Sequence, residues 1–208
     1  MIFYTFTRNF LKGLFKLAYR HKSILQEGAF CPQGAIIAAN HASFLDPPLI
    51  AASWPEPIHF LARKTLFEVP LLEPLISNLN AHPLGGASDL NSLKLACKLI
   101  QEGKKILIFP EGTRSEDGEI GPFKQGIGML ATRAKCPIIP AYIHGTHEAW
   151  PKKNKYPSLF SARTACIFGK PLLLEHFPDL EGKALQQQIA QKLHEEICLL
   201  RDQFTTLF

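Results

Sequence analysis

An imidazole and a carboxylate stand five residues apart in Asn40-His41-Ala42-Ser43-Phe44-Leu45-Asp46-Pro47. On a regular helix they would point about 140° apart and could not meet, so a turn must bring them together. Pro47 supplies one, because it pushes Asp46 out of the α region and marks the first position of a following helix. Asp46 would then sit as a cap with its carboxylate turned back toward the ring. A carboxylate on one ring nitrogen fixes the tautomer and leaves the other nitrogen free as a general base. With no cysteine in the segment and only Ser43 nearby, that base suits a substrate hydroxyl better than a protein nucleophile. The alternative is a purely structural role for both side chains.

A second segment, Phe109-Pro110-Glu111-Gly112-Thr113-Arg114-Ser115, also follows an apolar run. Backbone amides, one carboxylate and one guanidinium flank its glycine and would converge on a hydroxyl-bearing phosphate, for which arginine offers a planar fork. A tight turn with a surface ion pair is the simpler alternative. Elsewhere, His144 and His147 are spaced like metal ligands but have no third partner at a suitable spacing, so no metal is expected. Gly85-Gly86 lacks the spacing of a dinucleotide fingerprint.

The elements that must hold these segments alternate between short apolar runs and longer amphipathic stretches, the sign of an α/β domain. Strands are expected at 35–39, 58–62, 105–109, 138–143 and 163–168. Helices are expected at 47–53, 70–79, 89–102, 126–135 and 182–202, with Asp89 as an N-cap and Gly103 as a stop. The fold class is therefore α/β, a single domain with a mixed, mostly parallel central sheet flanked by helices. Polar loops at 112–122 and 144–158 follow strands, where α/β sheets keep their sites.

At 208 residues, with 46% apolar and 20% charged side chains, the chain suits one domain with one sizeable core. Its five cysteines are far apart and without a C-x-x-C pair, which argues for a reducing compartment. The net charge of +5 sits wholly in residues 1–26, which hold Arg8, Lys12, Lys16, Arg20 and Lys22 and no acid. A nucleic-acid reader spreads its positive face over the domain, so nucleic acid is not expected as a partner. In the same segment Phe3, Phe6, Phe10, Leu14 and Leu17 share a helical face beside the cations, as in a helix lying in a bilayer interface. Four charges in the first 20 residues leave no stretch that spans, and the charges are interspersed where a secretory signal would need an uncharged run. The expected division is a membrane-association helix at 1–24 and a catalytic domain at 25–208; a helix packed on the domain's own core is the alternative for the former.

Taken together, the segments resemble the glycerolipid acyltransferase family that includes 1-acylglycerol-3-phosphate and glycerol-3-phosphate acyltransferases. Residues 40–46 look like its H-x4-D block and Ala62-Arg63-Lys64-Thr65-Leu66-Phe67-Glu68-Val69-Pro70 like its second. Residues 109–115 with Phe123-Lys124-Gln125-Gly126 look like its third, and Pro137-Ile138-Ile139-Pro140-Ala141-Tyr142-Ile143-His144-Gly145 like its fourth. The resemblance implies transfer of a fatty acyl chain from acyl-carrier protein or coenzyme A thioester to the free hydroxyl of lysophosphatidate, giving phosphatidate, with no further cofactor. It implies His41 as the base and Asp46 as its orienting partner. Glu111, Gly112, Thr113 and Arg114 would hold the acceptor, with Lys64, Lys124, Ser43 and Asn40 as further substrate-binding positions and residues 137–140 shaping the acyl side. It also implies a peripheral enzyme on the cytoplasmic face of a membrane with anionic lipids. Many members carry an arginine in a stretch reading I-x-R-G. Here that stretch is Asn80-Ala81-His82-Pro83-Leu84-Gly85-Gly86, so Arg114 with Lys64 or His82 compensates, or the acceptor is glycerol-3-phosphate or another lysolipid. A non-catalytic lipid-binding protein is the alternative from a different class.

Overall fold

The run Ala35–Ala39 has no polar side chain and forms β2, buried at every position. A strand this apolar persists only when both faces of its sheet are covered. The computed structural model, which describes residues 2–70, 72–84, 90–178 and 180–207, covers both. One helical layer is made by α4 (Leu90–Gln101), α5 (Gly126–Ala134) and α7 (Gly182–Leu207). The other is made by α1 (Ile2–Tyr19) and α2 (Asp46–Ser53). Side chains of β2 alternate between the layers: Ile36 and Ala38 pack with Leu99, Ile127, Leu193 and Ile197, whereas Ile37 and Ala39 pack with Phe15, Leu49, Ile50 and Trp54.

Around β2 the described residues build one seven-stranded sheet. The other strands are β1 (Lys22–Leu25), β3 (Ile58–Arg63), β4 (Ala81–Leu84), β5 (Lys105–Ile108), β6 (Ile138–His144) and β7 (Ala165–Phe168), and the spatial order is β1-β7-β6-β2-β5-β3-β4. All pairings are parallel except β6 with β7. The expected mixed, mostly parallel architecture is what the chain adopts. Because β2, β3, β5 and β6 run the same way, their carboxyl ends and following loops gather at one edge. Short pieces complete the chain: a 3-10 turn at Lys64–Glu68, α3 (Leu72–Asn78), a single helical turn α6 (Thr146–Ala149) and a 3-10 turn at Leu174–His176.

Several elements differ from the sequence expectation. Neither β1 nor β4 was expected. Both are four-residue edge strands, one largely exposed and the other containing Pro83, which an edge strand tolerates because one row of its amides needs no partner. The sheet thus begins at Lys22, inside the expected boundary at 24/25, and α1 ends at Tyr19 with Phe15, Ala18 and Tyr19 packed on the core. The helix expected at 70–79 is α3, preceded by a 3-10 turn at 64–68 that was not expected, and α7 runs on to Leu207. The α4 stop is as read, since Gly103 takes φ +81° and donates its N–H to Ile100 O; Asp89, the expected cap, lies outside the described residues. All five cysteines are free thiols, and Cys166 is core as expected.

Candidate active site

The chain leaves β2 at Asn40, whose buried carboxamide makes two hydrogen bonds with the backbone of β6, Nδ2 donating to Ile143 O at 3.0 Å and Oδ1 accepting from Ile143 N–H at 2.8 Å. A side chain here does the work of a further rung of the β2–β6 ladder and fixes where His41 begins. The His41 main chain is then held on both sides by the loop after β5: its N–H donates to Glu111 Oε1 at 2.9 Å and its carbonyl accepts from Ser115 N–H at 2.7 Å. The ring lies flat on Phe109, centroids 3.9 Å apart and planes 14° from parallel.

His41 Nδ1 lies 2.7 Å from Asp46 Oδ2, with the histidine side chain 18% exposed and the aspartate wholly buried. The same oxygen accepts the N–H groups of Ala42 and Ser43 at 2.7 and 2.8 Å. One carboxylate oxygen therefore closes the turn and, with a neutral ring, fixes the tautomer by accepting the Nδ1 proton, which leaves Nε2 as the acceptor facing the opening. Nε2 has no hydrogen-bond partner among the described residues. Asp46 does not cap its own helix as the sequence suggested. It is the first residue of α2, with Leu45 in the cap position and Pro47 and Pro48 in the first turn, and it caps the preceding turn instead. Ser43 is fully buried, its hydroxyl donating to Trp150 O at 2.9 Å and accepting from Leu45 N–H.

In the β5 loop Gly112 takes φ +74°, a conformation that calls for glycine, with the Lys124 side chain lying over it. Glu111 is 7% exposed, and its second oxygen accepts from Gly121 N–H at 3.4 Å. Burial, reinforced by the charge of Asp46, pushes its carboxyl up to about 7 against the two backbone amides that favour the anion. Thr113 and Lys124 are exposed on the same side. The Arg114 guanidinium lies 3.5 Å above the Phe44 ring, and its Nη1 is buried with no partner among the described residues. Burial, and then the charge of Arg63 at the end of β3, pull its pKa below the usual value. Arg114 thus keeps a buried donor without an acceptor among the described residues and feels the positive charge of Arg63, and an arginine in that position is suited to an anionic group.

The structure thus brings together His41, Asp46, Asn40, Ser43, Glu111, Gly112, Arg114 and Lys124. Lys64 is exposed at the start of the 3-10 turn, and Arg63, quoted within the same block but passed over, is the cation placed beside Arg114. A signal for this existed: Arg63 ends an apolar run and so stands at the sheet's carboxyl edge. Phe109 and Phe44, which support the imidazole and the guanidinium, were also missed. His82 is not turned to the site; its Nε2 lies 2.9 Å from His59 Nδ1, the two rings stacked, and burial pulls both pKa values down, His59 to about 4. Residues 137–140 do not shape an acyl surface, because they are buried in the sheet with Ile138 in one core layer and Ile139 in the other. Among the described residues no group of three or more His, Cys, Asp or Glu side chains is placed to hold a metal ion.

The site is thus a histidine bonded to a buried carboxylate at the carboxyl edge of a mostly parallel α/β sheet, with Arg114 on the adjoining loop. The chain belongs to the acyltransferase family, whose model matches residues 16–144 and takes in the first three sequence blocks and nearly all of the fourth. A 1-acyl-sn-glycerol-3-phosphate acyltransferase of Bacillus subtilis (strain 168) is 28% identical over 207 residues, 98% of this chain and 100% of the relative. The chloroplastic 1-acyl-sn-glycerol-3-phosphate acyltransferase BAT2 of Brassica napus is 32% identical over 119 residues, 56% of this chain; the match spans only 34% of that longer relative. The crystal structure of the 1-acyl-sn-glycerophosphate (LPA) acyltransferase PlsC from Thermotoga maritima has the same fold, with a TM-score of 0.76 at 24% identity over 95% of this chain and 79% of the other.

Proposed function

We propose that this chain transfers a fatty acyl group from an acyl-thioester, carried by acyl-carrier protein or coenzyme A, to the free hydroxyl of 1-acyl-sn-glycerol-3-phosphate. The observation that carries the reading is the 2.7 Å contact of His41 Nδ1 with buried Asp46, which leaves Nε2 free on a loop bonded directly to the Arg114 segment through Ser115 N–H. The guanidiniums take the phosphate and so hold the acceptor hydroxyl near Nε2. The ring removes the hydroxyl proton as the oxygen attacks the thioester carbonyl. The tetrahedral intermediate collapses with loss of the thiolate, and the imidazolium returns the proton to sulfur, so that one ester and one thiol leave. Asp46 steadies the imidazolium between these steps. Glu111 and Asn40 are positioning residues that hold the His41 backbone, and Gly112, Thr113 and Lys124 line the phosphate side.

The same proposal seats the enzyme peripherally on the cytoplasmic face of a membrane. Support comes from α1, which exposes Phe3, Phe6, Phe10, Leu14 and Leu17 while packing its other face, with Lys12 and Lys16 alongside. No described helix is long and apolar enough to cross a membrane. The test is an acceptor panel with both thioester donors, run on wild type and His41→Ala. Conversion of lysophosphatidate to phosphatidate, lowered by about 10²–10⁴ in the variant, is expected; transfer within tenfold of wild type would remove His41 from the role of base, and release of free fatty acid without a doubly acylated product would make the protein a thioesterase.

A further inference from the structure

The loop from Pro151 to Ser161 carries Lys152, Lys153 and Lys155 and no acid; Lys152 pairs with Glu116 at 3.1 Å, so Lys153 and Lys155 carry the excess positive charge. It leaves three large apolar side chains in solvent, Tyr156 at 69%, Leu159 at 59% and Phe160 at 72% exposure. This is not a slack segment. Trp150 Nε1 donates to Asn154 O, Ser158 N–H to Ala149 O and the Ser161 hydroxyl to Ser158 O, so the chain folds back on itself in a fixed shape. Phe160 is held in the left-handed region at φ +62°, a conformation that costs an aromatic residue on the order of 1 kcal/mol. Its N–H donates to Ala18 O at the end of α1, which keeps it there.

Two further contacts say what this loop belongs to. At one end it is tied to α1, whose outer face shows the same pairing of exposed phenylalanines and lysines. At the other end it starts from Trp150, which accepts the Ser43 hydroxyl through its carbonyl and packs its ring 5.3 Å from Phe44, the platform under Arg114. A continuous belt of apolar tips and cations thus runs from α1 along the loop to the rim of the His41 opening. Lysines beside an exposed aromatic and aliphatic cluster are complementary to an anionic headgroup layer over hydrocarbon.

We propose that the loop around Lys152–Phe160 is a second membrane-docking element, which inserts Leu159 and Phe160 into an anionic bilayer and sets the His41 opening against the lipid surface. The proposal rests on the reading of α1 as an interfacial helix, and adds the second signal that stable peripheral attachment requires.

The test is sedimentation of the full-length protein with vesicles of phosphatidylcholine alone or mixed with phosphatidylglycerol. Phe160→Gly separates docking from folding, because glycine adopts the left-handed conformation freely. Its melting temperature should equal or exceed that of wild type, while its partitioning onto the mixed vesicles falls roughly tenfold. Replacing Lys153 and Lys155 with Gln should cost about fivefold per lysine on mixed vesicles and nothing on phosphatidylcholine. Phe6→Ser with Phe10→Ser provides the α1 arm. If that arm loses binding while both loop variants sediment like wild type, the loop does not dock and the α1 reading stands. If none of the variants loses binding, both readings fall. If the loop variants keep vesicle binding but raise the KM for acyl-carrier protein thioester alone, the loop is a protein-docking surface and the lipid assignment is overturned.

Discussion

Replacing Glu111 with Gln should change how stability depends on pH more than it changes stability itself. In the folded protein the Glu111 carboxyl titrates at about 7, against an ordinary value of 4.5, chiefly because it is buried. The folded state therefore keeps a proton that the unfolded state has given up between those values. Proton binding favours folding throughout that window: the stabilisation is complete below about pH 4.5 and is lost as pH rises through about 7. At about 1.4 kcal/mol per pH unit the whole window amounts to on the order of 3 kcal/mol. Glutamine keeps the shape and can accept from the His41 N–H, while its amide group meets the weaker 3.4 Å contact with Gly121 N–H; it has no proton to gain. Urea unfolding followed by the fluorescence of Trp54 and Trp150, at about pH 5 and about pH 8, should show wild type gaining on the variant at the lower pH by about 2–3 kcal/mol. His21 and His59, both pulled down to about 4 by burial, work in the opposite sense but cancel in the comparison, since neither touches Glu111. A difference between the two proteins that is the same at both pH values would refute the argument that Glu111 is held protonated by burial.

Asp46→Asn keeps an oxygen for the Ala42 and Ser43 N–H groups and for the Nδ1 proton but removes the negative charge that steadies the imidazolium; kcat should fall by about 10² or more with the acceptor KM little changed, read by steady-state kinetics. Arg114→Lys loses the stacking on Phe44 and the planar fork; the acceptor KM should rise at least tenfold, on the order of 1–2 kcal/mol, while the thioester KM stays put, and an equal rise in both would argue against phosphate recognition there. Asn40→Ala leaves the Ile143 N–H and C=O buried and unpaired; unfolding should become easier by about 2–4 kcal/mol in a denaturant titration.

The central sheet was legible because apolar runs such as Ala35–Ala39 and Ile138–Ile143 have nowhere to go but a doubly covered strand. The edges were not, because Lys22-Ser23-Ile24-Leu25 and Ala81-His82-Pro83-Leu84 gain their strand character from one neighbour and carry no pattern of their own. At the site, the pairing of His41 with Asp46 followed from residue types plus a proline. The partners of Glu111 and Asn40 did not, since both side chains bind backbone groups at 70 and 103 residues' separation, and backbone is the same at every position. Lys64 was preferred to Arg63 for a similar reason: both carry positive charge, and only the register of β3 decides which one stands beside Arg114. The exposed face of α1 was read correctly in residue type, but its packed face, with Phe15 and Tyr19, was assigned only once the sheet's second side was known to need cover.

The arrangement also explains how a site carried largely on loops is fixed in place. His41, Glu111 and Arg114 lie outside the strands, yet each loop is bonded to its neighbour at the backbone: His41 to the β5 loop through N–H and C=O, Asn40 to β6, and Ser43 to the turn before Pro151. Those loops adjoin because β2 lies between β5 and β6, neither of which is its neighbour in sequence. Asp46 Oδ2 extends the logic, since the atom that selects the histidine tautomer is the one that closes the turn carrying the histidine. Reactivity and local folding thus share one oxygen, so the turn cannot loosen without releasing the ring, and the ring cannot take up its proton-accepting form unless the turn is closed.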